Sequence, residues 1–152
     1  MDEIVARSLA KWPNVPAVFG WLSLDRRGNW RIKDERIGNP ALRDFIARNY
    51  AGDERGRWYF QNGPQRVYVK LAYTPLVVRY EGDALLDHCG RSFRAEQAFA
   101  DDEGSVVMAG EGTVAVLDDR DLIRFADAAE GLPSVRAADL PGQYGFAQDP
   151  AP

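Results

Sequence analysis

Few residues in this chain have the chemistry for catalysis. His88 and Cys89 are the only histidine and the only cysteine, and they are adjacent. A thiolate nucleophile needs a base close in space, whereas neighbours on a strand point to opposite faces, so the pair does not read as catalytic. With one His and one Cys, a metal site would need carboxylates alone. Asp118, Asp119 and Asp121 could hold a hard cation, but their place before Leu122-Ile123 fits helix N-capping better. No GxxxxGK[ST] or GxGxxG phosphate loop occurs, and Ser23, Ser92 and Ser105 lie outside any GxSxG elbow. No catalytic residue, metal or cofactor is implied.

Arginines among aromatics are the stronger signal. Trp30, Trp58, Tyr59 and Tyr68 interleave with Arg31, Arg36, Arg57 and Arg66, and sixteen of the nineteen basic residues are arginine. Aromatic rings can stack on a base, and arginine can fork onto phosphate or carboxylate. After Gly63-Pro64-Gln65 the chain enters a strand with Val67, Val69 and Leu71 on one side, so Arg66, Tyr68 and Lys70 share the other. The candidate ligand-binding set is Arg66, Tyr68, Arg36, Trp58 and Gln65, with Arg66 the residue for an anion. Packing in the core is the competing role for the aromatics.

The elements that must position these residues are legible in the pattern. From Gly20 to Tyr50 the chain reads as a tight β-hairpin feeding an amphipathic helix. Leu22 and Leu24 alternate with Trp21, Ser23 and Asp25; Trp30 and Ile32 alternate with Arg31 and Lys33. Asp25-Arg26-Arg27-Gly28 supplies the turn, with Gly28 free to take positive φ. Asn39 caps the helix, Pro40 suits its first position, and Leu42, Phe45, Ile46 and Asn49-Tyr50 repeat at helical spacing.

Residues 2–11 predict a short helix with Ile4, Val5 and Leu9 inward, stopped by Trp12-Pro13. Further strands are predicted at Trp58–Phe60, Val67–Leu71 and Leu76–Tyr80. Leu85-Leu86 and Ser92–Ala95 suggest two short strands. Val106–Met108 and Thr113–Leu117 suggest a hairpin across Gly110-Glu111-Gly112. Leu122, Ile123, Phe125, Ala126 and Ala129 trace a helical face ending at Gly131, and residues 132–152 read as an extended tail rich in Pro, Gly and Ala. Asp53–Leu71 and Asp101–Leu117 echo one another: acidic turn, glycine, apolar run, glycine turn, alternating strand.

Composition bounds the rest. The 152 residues carry a net charge of −4, unevenly spread. Residues 26–70 hold eleven Lys or Arg against five Asp or Glu, a balance of +6; residues 81–152 hold five against fifteen, a balance of −10. Either the first half carries an anion site or the oppositely charged halves dock on each other. The acidic second half repels a polyanion, which argues against nucleic acid. No run of about 18 apolar residues exists, so a transmembrane helix and a membrane partner are not expected. The N-terminus lacks an apolar signal core, and a single cysteine fits a reducing compartment, so the chain is expected in the cytoplasm.

The run from Leu24 to Val78 contains D-x-x-G-x-W-x-I, R-I-G-x-P-A-L with a following helix, W-Y-F, G-P-x-x-V-x-V and T-P-L-V-V. In this order the motifs resemble the bacterial domain of unknown function 1285, and a sister family of uncharacterised proteobacterial proteins fits equally. Gln65-Arg66 stands where that family carries an acidic–basic pair, and Tyr73 where it carries an acid. The resemblance implies a two-part α+β fold with repeated β units and a second part like a pleckstrin-homology domain. It also implies a nucleotide-like ligand at the junction of the parts, and a signalling role.

Together these readings predict an α+β protein of two β-rich halves with repeated hairpin units, each followed by a helix. The expected divisions are 1–80, 81–131 and a tail at 132–152. The expected function is a non-enzymatic small-ligand-binding or regulatory module. The alternative is a protein-interaction module acting through its tail or an exposed strand edge.

Overall fold

Runs of period two, bracketed by tight turns, build two sheets of like construction. In the computed structural model, which describes residues 1–152 apart from the side chain of Ala129, the chain divides into two compact units. The first comprises Met1–Asp25, Asn29–Ala72 and Ala147–Pro152; the second comprises Arg26–Gly28 and Tyr73–Phe146. The α+β class and the two halves stand as expected.

The first unit holds α1 (Glu3–Lys11), β1 (Val18–Leu24), β2 (Trp30–Ile32), β3 (Glu35–Arg36), α2 (Pro40–Arg48), β4 (Tyr50–Gly52), β5 (Trp58–Asn62) and β6 (Gln65–Leu71). Its sheet runs β3-β2-β1-β6-β5-β4, with β1 and β6 parallel. The registers Leu22↔Val69, Leu24↔Leu71, Leu24↔Trp30 and Phe60↔Val67 set these side chains on one face. Ile46 of α2 is buried, and Phe45 meets Phe60 edge to face at 5.6 Å. Each such burial is worth about 2 kcal/mol over exposure. Asn39 caps α2 as expected, its Oδ1 accepting from the N–H groups of Ala41 (2.9 Å) and Leu42 (3.2 Å).

The second unit holds β7 (Leu76–Glu81), β8 (Ala84–Asp87), β9 (Gln97–Asp101), β10 (Val106–Gly110), β11 (Thr113–Leu117), β12 (Ser134–Val135) and α3 (Leu140–Tyr144). Its sheet runs β12-β9-β10-β11-β7-β8, with β7 and β11 parallel. Val78, Val107, Val114, Ala115 and Leu140 are wholly buried.

Setting β3 and β12 aside, the two sheets have one strand order: β2-β1-β6-β5-β4 matches β8-β7-β11-β10-β9. The echoed segments fall on equivalent hairpins, β5–β6 and β10–β11. Asp53 and Asp101 open them alike. Asp53 Oδ1 accepts from the N–H groups of Arg55 and Arg57, and Asp101 Oδ1 from those of Glu103 and Ser105. Asp87 does the same with Cys89 and Arg91, and Asp25 accepts from Asn29. In each turn the third residue on, Gly28, Gly56, Gly90 or Gly104, has φ between +76° and +84°, the left-handed region where a Cβ is penalised. Asp-x-x-Gly is therefore the repeated joint of the fold.

Several expectations are corrected. Ile4 is 65% exposed, because it lies about 100° round the helix from Val5, the one buried residue of α1. Tyr50 belongs to β4, since α2 ends at Arg48 with Asn49 as its C-cap. Ser92–Ala95 is not a strand; Ser92 makes one bridge to Leu86, and β9 takes the place beside β10, between it and β12. The helix expected after the second half is a 3₁₀ segment at Asp119–Phe125 with no buried residue. Ile123 is 81% exposed there, so no apolar face holds an α-helix to the sheet; the expectation for the Ala129 side chain lies outside the described residues.

Residues 132–152 are not an extended tail. They contribute β12 and α3, and bury Leu140, Phe146 and Pro150. Ala147–Pro152 binds to the first unit, with Leu71 N–H donating to the Gln148 carbonyl (2.8 Å) and Ala147 N–H to that of Gly56 (2.9 Å). The first boundary falls at Ala72 rather than residue 80, because Leu76–Glu81 pairs with β8 and β11.

Candidate functional site

A groove of about 420 Å³ opens in the first unit beside α2. Leu22, Phe60 and Val67 line it from three neighbouring strands, and Ile46 and Leu42 from α2. Strict alternation would send Trp21 and Leu22 to opposite faces. Both line the groove, with Val18, because the β1–β6 register shifts between Val18 and Leu22. Gly20 sits in that irregularity at φ +82°, a conformation that only glycine adopts freely.

The rim is unusually apolar for a surface. Trp21 is 51% exposed, Ile32 41% and Leu42 38%. At one end are two amides, Asn62 and Gln65, paired across the turn that joins β5 to β6. Gln65 Nε2 donates to the Pro16 carbonyl at 3.1 Å. Lys33 places its ammonium 4.2 Å from the centre of the Trp21 ring, a cation–π contact that sets a positive charge beside the rim. The arrangement offers an apolar slot, an aromatic wall, two neutral hydrogen-bonding groups and one nearby cation.

Of the residues chosen from sequence, Gln65 lines this groove, and Arg66 and Tyr68 come together elsewhere. Tyr68 is 4% exposed, so the strand face opposite Val69 is covered at this position, while Lys70 on the same face is exposed. Phe19 stacks on Tyr68 with centroids 4.7 Å apart, and the Arg57 guanidinium lies 4.5 Å from the same ring. Arg66 lies 3.8 Å from the Tyr59 ring centre, with Nη1 3.5 Å from the Tyr68 hydroxyl. Asp53 anchors this cluster, accepting from Arg57 Nε (2.9 Å) and from the Tyr68 hydroxyl (2.8 Å). Burial alone would raise the Asp53 carboxyl. The Arg57 N–H, the Tyr68 hydroxyl, the Arg57 guanidinium and the Arg55 N–H outweigh it and hold it below its ordinary value.

Trp58 packs on Tyr50, ring centres 5.1 Å apart, and leaves no room for a Cβ at Gly52. Arg36 is exposed on the edge strand β3, opposite Arg31. The five chosen residues therefore do not form one site.

The remaining chemistry-bearing groups have structural partners. Burial, and then the charge of Asp87, pushes the Cys89 thiol up to about 12, so it is protonated at neutral pH. Asp118 caps the 3₁₀ segment at Arg120 N–H, Asp121 accepts from Tyr80 N–H, and Asp119 pairs with Arg27. Among the described residues, no three His, Cys, Asp or Glu gather where they could hold a metal ion. No helix among them is long and apolar enough to cross a membrane.

Only Gln65 of the groove was chosen from the sequence. The available signal was Gly20 within an alternating run, which marks a bulge or a close approach.

The chain belongs to the DUF2944 family, "Protein of unknown function (DUF2946)", whose profile matches residues 1–151. Two solved structures share the fold. A DUF1285 family protein from Silicibacter pomeroyi DSS-3 is 19% identical, with a TM-score of 0.55 over 84% of each chain. A DUF1285 family protein from Shewanella baltica OS155 is 14% identical, with a TM-score of 0.52 over 70% of this chain and 90% of that one. The resemblance carried by the sequence motifs thus holds at the level of fold. No curated protein matches the chain.

Proposed function

For a member of a family that has no assigned activity, we propose a small-ligand-binding module whose first unit takes a flat, largely apolar group in the groove beside α2. One observation carries this reading: Trp21, Ile32 and Leu42, three large side chains left exposed, all border a single concavity. Its volume falls within the usual range for small-molecule sites, about 300–1,000 Å³. A nucleobase-like ring suits the chemistry, with Trp21 as a stacking wall and the Asn62 and Gln65 amides along its edge. Lys33, held against Trp21, would meet an attached anionic group. This is how a nucleotide-like ligand would be taken within the first unit.

The module is read as non-enzymatic. Its one thiol is held protonated, and its aspartate trio serves capping, pairing and backbone contacts. The alternative, recruitment of a protein partner, rests on β3, a two-residue edge strand exposed at both Glu35 and Arg36.

Thermal shift against a panel of nucleosides, nucleotides and apolar heteroaromatics tests the reading. A ligand at a hundred times its Kd should add about 2.7 kcal/mol, or roughly 5–10 °C for a domain of this size. Trp21→Ala should remove that shift without altering the unliganded melt, since Trp21 is half exposed. A panel with no stabilising member, or a shift that survives Trp21→Ala, would overturn it.

A further inference from the structure

We propose that the second unit carries a separate site for a phosphoryl oxyanion, where Arg27, Arg79 and Arg120 line one small polar cavity. The cavity holds about 150 Å³ and is bordered also by His88, Asp118 and Gly28. That is well under the roughly 300 Å³ of a drug-sized pocket, so it suits a small anion or the end of a larger ligand.

Each wall is held by a local cause. Gly28 is seated so closely on His88 that an added Cβ would lie 2.7 Å from the His88 Cβ, which fixes the turn carrying Arg27. Arg27 is held further by Asp119, through Nε (2.9 Å) and Nη2 (3.1 Å). Asp118, with its side chain 4% exposed, pins Arg120 by accepting from its backbone N–H, Nε and Nη2. His88 Nδ1 accepts from Val77 N–H at 3.1 Å; in the neutral imidazole this leaves the proton on Nε2, making that atom a donor.

The charges favour an anion in a particular way. Asp118 stands at the cavity, but its oxygens are occupied by Arg120, so it acts as an anchor. A guanidinium has five N–H donors; the pair with Asp118 engages two of those on Arg120. Arg79 is the adjustable wall. Its carboxylate contact is with Glu81 at 3.4 Å, and the side chains are 47% and 65% exposed. Such surface pairs are weak and exchange readily. A tetrahedral oxyanion offers Arg79 a better acceptor, in bidentate geometry, than Glu81 does.

His88 is the only histidine, so its ring protons are a single-residue reporter in the NMR spectrum of the full chain. Inorganic phosphate titrated at neutral pH and constant ionic strength should shift them saturably, while chloride should not. Arg79→Ala should weaken the response about tenfold, the loss of one charge-assisted hydrogen bond. Glu81→Gln should strengthen it, a gain that misfolding cannot mimic. A ribose 5-phosphate titration identifies the source: tighter binding than phosphate points to the end of a larger ligand, and equal or weaker binding points to the free ion. No shift with either probe, or a response unchanged in both variants, would overturn the proposal. The groove reading is independent of that result, because Trp21→Ala should leave the phosphate response intact.

Discussion

The Tyr68 hydroxyl donates to Asp53 Oδ2 at 2.8 Å across fifteen residues of chain, joining the strand β6 to the turn that opens β5. Asp53 thereby does two jobs. One oxygen ties its own turn, and the other gathers Tyr68 and Arg57 over the sheet.

Asp53→Asn should therefore destabilise the fold by about 3 kcal/mol, since it leaves Arg57 without its carboxylate in a largely buried place. The pH dependence follows from the lowered carboxyl. A group depressed in the folded state adds stability that is fully present above its unfolded value, about 3.9. That stability is lost as pH falls through the folded value. Urea melts between about pH 6 and pH 2 should show a steeper loss for the parent chain than for Asp53→Asn. Parallel curves would show that Asp53 is not the group responsible.

Removal of Ala147–Pro152 should lower stability substantially. It deletes the acceptors of Leu71 N–H and Arg57 Nη1 and uncovers the surface beneath the buried Pro150. Phe146→Ala should cost about 3 kcal/mol by itself, as Phe146 is 6% exposed. A truncated chain with an unshifted melt would mean that the segment does not dock in solution.

Asn39→Ala should cost about 1 kcal/mol, because Asn39 Oδ1 serves two N–H groups at the start of α2. Asn39→Asp should retain most of that stability, since Asp caps equally well. Equal melts for the parent and Asn39→Ala would place the helix start elsewhere.

Cys89 should resist alkylation. With its thiol raised to about 12, the thiolate is scarce at pH 8, whereas an unfolded cysteine near 8.5 is substantially ionised. Iodoacetamide should react more than about a hundredfold slower with the folded chain than with the denatured one. Comparable rates would show that the site is open.

What the sequence determined by itself was local. Alternation placed β1, β2, β6 and β11, because a strand's two faces are set by neighbours two residues apart, and apolar runs between turn residues placed β5, β7 and β10. Asn39-Pro40 set the start of α2, and the echo between Asp53–Leu71 and Asp101–Leu117 marked equivalent hairpins, because caps and turns depend on a few adjacent groups. Only the tertiary structure decided which strands lie side by side. The parallel pairs β1–β6 and β7–β11 join segments tens of residues apart, and no local period encodes that choice. The same non-local pairing covered Tyr68, drew residues 147–152 back to the first unit and set Arg66 over the Tyr59 ring. The groove itself came from one backbone irregularity at Gly20. That glycine is visible in the sequence, but it acquires a consequence only when β6 pairs alongside it and α2 closes the other wall.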